Sequence, residues 1–564
     1  MPSEHPAWAP GDSRSGLRDT FASDALPPRE QWPRLDFTGV PELRYPDRIN
    51  CAAELLDKIV TRGDGDRVVI RFPHGEWTYR DLLHAANQIA HVLVDDLGLV
   101  PGNRVLLRGP NNAMLAACWF AVLKAGGIVV CTMPLLRARE LTFTADKARI
   151  SLALTDHRFA AECEEAFARH GDGRPREHAR VIHYGAAHAT PTAAPTLDVL
   201  MRDKPITFTN VDTAADDLAL IAFTSGTTGE GKGTMHFHRD VLAICDCFPP
   251  YVLKATPNDV FIGSPPFAFT FGLGGILLFP MRIGASTVLL EQATPPHLIK
   301  GIQDFKATVV FTAPTAYRAM LGMLSQHDVS SLSRCVSAGE ALPLATFEAW
   351  HKATGLRIID GIGATEMLHI FISASDDEIR PGSTGRVVPG YEARVVDEDM
   401  REVPTGEIGR LAVRGPTGCR YLHNEERQRA YVRDGWNLTG DSYKKDADGY
   451  YWYQARTDDM IISSGYNISG PEVESVLLEH PAVLECGVVG VPDEERGQIV
   501  KAYVVLRSDS AGLPATPETV KVLQDYVKAQ IAPYKYPRAI EFLDALPRTA
   551  TGKLQRYRLR ERVG

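Results

Sequence analysis

Apolar and polar positions change period repeatedly along the chain, and the changes mark out alternating helices and strands. Thr78 heads a capping box with Asp81 and precedes Leu82, Leu83, Ala86, Ile89 and Ala90, which predicts a helix. Pro101-Gly102 then turns the chain into a predicted strand at 104–108. A second helix is predicted from about Asn112 to Ala125, stopped by Gly126-Gly127. Strand-like runs recur at 219–224, 309–312, 357–359 and 393–396. Towards the end, Pro471 occupies a first helical position before the stripe Val473, Val476 and Leu477. Two β-rich runs follow, 484–491 and 502–506. A last helix opens at Thr516-Pro517, with Val520, Leu523, Val527 and Ile531 on one face.

This alternation predicts an α/β fold, and no fixed-period repeat interrupts it. Its layout is a large N-terminal α/β body of several subdomains, residues 1–457, and a small C-terminal α/β lid, residues 458–564. Residues 1–45, rich in Pro, Asp, Arg and Ser with little periodicity, read as an arm laid over the body or as partly disordered chain.

A length of 564 residues is that of several domain-sized units. The net charge of −9 argues against nucleic acid or an anionic membrane as main partner. No apolar run follows a basic start, so no signal peptide is expected. The most apolar stretch, 271–290, is broken by Arg282 and several glycines and reads as buried core rather than a membrane span. Nine scattered cysteines, with only Cys245 and Cys247 close together, read as reduced packing residues of a cytoplasmic protein.

The sharpest local signal is FTSGTTGEGKGTMH, residues 223–236, directly after an apolar run. Glycines let the backbone approach an anion, Ser and Thr hydroxyls donate, and Lys232 adds charge, as a phosphate-cradling loop requires. Residues 226–232 also match the first seven positions of the Walker pattern. Gly233, however, stands where a magnesium-binding hydroxyl is needed, and MHFHRD does not look like a helix wedged against the loop.

The loop resembles the phosphate loop of the adenylate-forming superfamily: acyl- and aryl-CoA ligases, peptide-synthetase adenylation domains and luciferases. Six further motifs resemble that family in order. They are PPFAF (265–269), SAGEALP (337–343), DGIGATEM (360–367), WNLTGD (436–441) and the pair formed by QARTDDMIISSGYNISGPEVE (454–474) with PRTATGK (547–553). The resemblance spans about residues 50 to 560. One departure is Gly231, where many members carry proline before the loop lysine; it removes no donor.

The resemblance implies that a carboxylate attacks the α-phosphorus of ATP, expelling pyrophosphate, and that CoA thiol then attacks the acyl-adenylate and expels AMP. ATP, Mg²⁺ and coenzyme A are the implied cofactor and co-substrates. Bringing two anions together demands fixed positive charge and oriented donors. Lys553, Arg456, Thr365 and Glu366 are the implied catalytic set, with Glu366 also the metal ligand. Thr224, Ser225, Gly226, Thr227, Thr228, Gly229 and Lys232 would hold the phosphates. Gly339, Glu340, Ala341, Asp360, Gly361, Ile362 and Gly363 would form the nucleotide-binding turns, and Asp441 would accept from the ribose hydroxyls. Asp458 is the implied hinge of a mobile lid, and Gly465 and Tyr466 the implied thiol tunnel.

By register with the family, Phe269, Thr270, Phe271, Ala313, Pro314, Ala338, Gly339 and His369 should line the acyl pocket, with Thr315 and Tyr317 alongside. Aromatic residues at its entrance suit a flat ring. The segments 362–371 and 415–422 resemble benzoate-type ligases. The opening segment ELRYPDRINCAAELLD and PPFAFTFGLGG resemble those acting on 2-aminobenzoate in particular; benzoate and hydroxybenzoate or salicylate come next. A carrier-protein-loading enzyme would share every motif and differ in its acceptor. A homodimer is compatible with the N-terminal arm.

Overall fold

The computed structural model describes residues 15–185, 195–224, 231–456, 459–463, 466–493, 496–508, 513–531, 533–548 and 554–562. Two large sheets dominate them. One has six strands in the order Arg180–Tyr184, Leu152–Asp156, Arg104–Arg108, Ile128–Thr132, Leu218–Thr224 and Lys232–Phe237, all parallel except the last. The other has nine strands. Its parallel centre runs Ile358–Gly363, Arg334–Ala338, Val309–Thr312, Val260–Gly263, Ser286–Val288 and Val68–Phe72, with antiparallel strands at both edges.

Strand period decides how the layers stack. Val105 and Leu107 join the central core while Leu106 turns to the outer one. In the second sheet Val309 and Phe311 face the same central core, and Val310 faces away. Strands buried on both faces read as continuous apolar runs, as parallel sheets do. Between the sheets lie the helices Tyr79–His91, Ala113–Lys124 and His238–Phe248. Every residue from Leu115 to Lys124 is buried. Even Lys124 is fully buried, its ammonium held 2.6 Å from Asp57 Oδ2.

The predicted capping box is formed, with Thr78 Oγ1 accepting from the Asp81 amide and Asp81 accepting from Thr78. The stretch read as buried core becomes helical turns from Thr270 to Ile283 followed by the strand Ser286–Val288. From residue 15 onward the arm is tied down rather than loose. Trp32 packs 5.6 Å from Phe237 and donates from Nε1 to Pro27 O at 2.7 Å, and Arg104 pairs with Asp19.

After the nine-stranded sheet comes a five-stranded antiparallel sheet that ends with Trp436–Lys445 and Tyr451–Arg456. The last part of the chain holds the strands Val483–Asp493, Gly497–Leu506 and Ala539–Phe542, and the helices Gly470–Glu479 and Pro517–Gln530, around a core of their own. Eight of the nine cysteines are buried and Cys131 is partly exposed; all nine are free thiols. No described helix is long and apolar enough to cross a membrane.

Candidate active site

The strands Leu218–Thr224 and Lys232–Phe237 pair so that Thr224 stands opposite Lys232 across the ladder. Between them, Ser225, Gly226, Thr227, Thr228 and Gly229 lie outside the described residues, as do Asp458, Gly465 and Lys553. Tyr466 opens the short strand Tyr466–Ile468, with its backbone paired to Ser463. Lys232 begins a strand rather than a helix, which separates this loop from a Walker loop.

Lys232 is half-buried, and its ammonium is pushed below its ordinary value by burial and by Arg427 and Arg456, with Glu366 opposing. A cation short of counter-charge beside a carboxylate is suited to receive an anion. Thr365 and Glu366 share one tight turn, Thr365–Met367. His236 Nε2, on a fully buried ring, donates to the Thr365 carbonyl at 2.8 Å. The Tyr421 phenol donates to Glu366 Oε1 at 2.5 Å. The turn is therefore held by its main chain and by its side chain.

Asp441 and Arg456 are direct cross-strand partners, with Arg456 Nη1 3.2 Å from both Asp441 Oδ1 and Thr439 O. The nucleotide turns lie at the C-terminal ends of parallel strands, where ligands of open α/β sheets bind. Ala338 ends one strand opposite Gly361. Gly339 then takes φ +92°, a value that side chains rarely adopt, and turns the chain towards Glu340 and Ala341. Glu340 meets Arg548 from the C-terminal part at 3.6 Å. Asp360, Ile362 and Gly363 continue the neighbouring strand. Burial pushes the Asp360 carboxyl up to about 7, and its Oδ1 has no hydrogen-bond partner among the described residues.

The acyl-pocket residues divide. Phe271 reaches an aromatic nest around His369, 5.9 Å from that ring and 5.5 Å from Phe311. Phe279 stands edge-on to His369 at 4.5 Å, and Phe248 lies 5.5 Å away. Phe269 caps the helical turn that Thr270 opens, while Ala313 caps the helix Pro314–Leu321. Gly274 makes room for the histidine, since a Cβ there would sit 2.4 Å from His369 Cδ2. His369 is not a satisfied core histidine. Both ring nitrogens are buried, the Phe271 main chain is the one polar group among the described residues that interacts with the ring, and burial pushes its pKa down to about 3. Tyr317 corrects the expectation made of it. It lies on the opposite face of the sheet, donating to Val336 O at 3.0 Å and packing on Trp350 at 4.9 Å. Its helix turns it outward while Phe311, two residues before Ala313, points in.

A family model described as AMP-binding enzyme matches residues 57–421, and a second, AMP-binding enzyme C-terminal domain, matches residues 472–553. The chain belongs to the AMP-binding enzymes. The benzoate–CoA ligase of Thauera aromatica is 34% identical over 92% of this chain and 97% of its own length. A crystal structure of an anthranilate–CoA ligase in complex with anthranoyl-AMP matches with a TM-score of 0.85 and 37% identity, covering 92% of this chain and 98% of that one. A benzoate–CoA ligase from Burkholderia xenovorans LB400 matches at TM-score 0.81 and 31% identity, covering 91% and 100%. The α/β architecture of a large N-terminal part and a smaller C-terminal part is that of the adenylate-forming enzymes.

As an AMP-binding enzyme the chain is an adenylate-forming acid–thiol ligase. Its donor set fits a metal that arrives on a nucleotide. No three His, Cys, Asp or Glu side chains converge among the described residues, whereas Glu366 offers one carboxylate beside Lys232. Mg²⁺ is bound in this way, by one or two carboxylates together with substrate phosphates. Sequence reasoning missed His236, Tyr421, Phe248, Phe279 and Phe311. Phe311 had a signal, since strand alternation from Val309 sets it on the inner face. Tyr421 lies in a segment valued only for its family likeness, and nothing local marks it as a partner of Glu366.

Proposed function

We propose that this enzyme joins an aryl carboxylate to coenzyme A through an aryl-adenylate, and that its preferred acid is 2-aminobenzoate. The observation that carries this reading is a buried, uncharged His369 with a ring nitrogen left for a ligand inside a ring of phenylalanines. Flat apolar walls suit a benzene ring. An imidazole held neutral offers an acceptor to the N–H of an ortho-amino group. Without that donor the buried nitrogen stays unpaired, which penalises plain benzoate. The likeness to the ligase solved with anthranoyl-AMP supports the same choice.

In this reading Lys232 and the Thr224–Gly229 residues hold the phosphates, Thr365 donates to the α-phosphate and Glu366 holds Mg²⁺. Mg²⁺ supplies charge neutralisation at the phosphates. Asp441 takes the ribose hydroxyls, steadied by Arg456, and the turns at Gly339–Ala341 and Asp360–Gly363 flank the base. Lys553 bridges the carboxylate and α-phosphate during adenylation. A lid from residue 458 onward then turns about Asp458 and brings Gly465 and Tyr466 to the thiol channel. The reduced thiols support a cytoplasmic setting.

The test is pyrophosphate release with ATP, Mg²⁺ and a panel of 2-aminobenzoate, benzoate, salicylate and octanoate, each with and without CoA. Sustained turnover on 2-aminobenzoate that requires CoA is expected. Benzoate or salicylate ranking first would replace the substrate, and a burst indifferent to CoA would point to a carrier-protein acceptor.

A further inference from the structure

Glu366 is the carboxylate to which the reading above gives the metal, and its side chain is already half engaged. Tyr421 donates to Oε1 at 2.5 Å, and its side chain is 1% exposed. The placement of this phenol is over-determined. The Tyr421 amide donates to Gln428 Oε1 at 2.9 Å, and the Tyr421 backbone bridges to Thr234. Its neighbours Arg420 and Leu422 exchange main-chain hydrogen bonds with Met235 and Gly233, at 2.8 and 2.9 Å. Tyr431 stacks edge-on against the ring at 5.9 Å. Arg420 is fully buried and pairs at 2.5 Å with Asp240, so the segment cannot slide without breaking a buried ion pair.

A carboxylate with one oxygen fixed by a donor loses its rotation and presents the other oxygen alone.

We propose that Tyr421 is a positioning residue for the metal: it holds Glu366 Oε1 so that Oε2 alone is presented to the Mg²⁺ carried by ATP. The inference rests on the assignment of Glu366 to the metal. It gives Tyr421 no contact with substrate. Outer-shell partners of this kind change metal affinity about 10- to 100-fold when removed.

The experiment titrates Mn²⁺ into the full-length protein with α,β-methylene-ATP, reading free Mn²⁺ by electron paramagnetic resonance, for wild type, Tyr421→Phe and Glu366→Gln. Tyr421→Phe is expected to weaken Mn²⁺ binding on the order of tenfold. Affinity for the metal-free nucleotide, the thermal midpoint and thioester formation from pre-made aryl-adenylate should stay near wild type. Replacing Tyr421 with p-aminophenylalanine, which keeps a donor at the same place, should restore Mn²⁺ binding. Unchanged Mn²⁺ binding in Glu366→Gln would overturn the assignment of Glu366 itself. A defect in Glu366→Gln with none in Tyr421→Phe would overturn only the role of Tyr421. Equal loss of metal-free nucleotide, or no rescue by the amino variant, would make Tyr421 a packing residue instead.

Discussion

His369 and His238 are both fully enclosed, and burial pushes each down to about 3 from an ordinary 6.5. Between those values the unfolded chain binds more protons than the folded one, so stability rises with pH across this window and is lost as pH falls through it. Each histidine contributes about 2 kcal/mol of acid destabilisation at pH 5 relative to neutrality. Urea unfolding at pH 7 and pH 5 should show His369→Leu losing about that much less than wild type on acidification. The same variant probes specificity: losing one hydrogen bond of about 1 kcal/mol should lower the preference for 2-aminobenzoate over benzoate roughly fivefold in kcat/KM. An unchanged ratio would separate His369 from the ring substituent. The chemistry of His369 was legible in the sequence as a residue type near Glu366. Its partners were not, because Phe248 and Phe279 come from helices far back in the chain and meet it only through packing between the sheets.

At the scale of elements, the helical turns Thr270–Ile283 pass so close to His369, just before the strand Ile370–Ser373, that Gly274 has no room for a side chain. Gly274→Ala should cost about 1–3 kcal/mol as overpacking and should disturb aryl-acid KM more than ATP KM. Thermal unfolding and the two KM values check this. Elements with local signals were readable beforehand: the Thr78–Asp81 capping box, the glycine stop after Lys124 and the β-rich run at 309–312. Tyr317 was misread because helix period, not proximity in sequence, chooses the face. A residue three after Pro314 on the helix Pro314–Leu321 turns to the outer core with Trp350. The sequence left the arm open between a segment laid over the body and partly disordered chain, because its anchors, Trp32 on Phe237 and Asp19 on Arg104, are single long-range contacts without periodicity.

Across the whole molecule, residues far apart in sequence converge where the ends of the two large sheets approach each other. Lys232 comes from one sheet, and Thr365 and Glu366 follow a strand of the other. The arm stiffens this junction. Gln428, whose Oε1 holds the Tyr421 amide, also donates to Gln31 O of the arm at 2.8 Å. Trp32→Ala should therefore cost about 3–5 kcal/mol, read by denaturant unfolding, and should weaken MgATP binding as well as stability. The two half-reactions give a further contrast. Lys553→Ala should slow adenylation by about 10²–10³ yet spare thioester formation from pre-made adenylate. Asp458→Pro should slow the thioester step more. Equal losses in both steps would refute two working arrangements of the lid.

The thiols offer a clock for such motions. Cys51 sits beside His238, Cys419 behind the Glu366–Tyr421 pair, and Cys486 in the core of the C-terminal part. Burial raises the pKa of each thiol, so none reacts while its surroundings stay closed. The rate at which a disulfide reagent blocks each cysteine, resolved by peptide mass, then reports the opening frequency of that neighbourhood. A chain that fills its interior with unpaired cysteines carries its own set of local unfolding probes, one for nearly every layer.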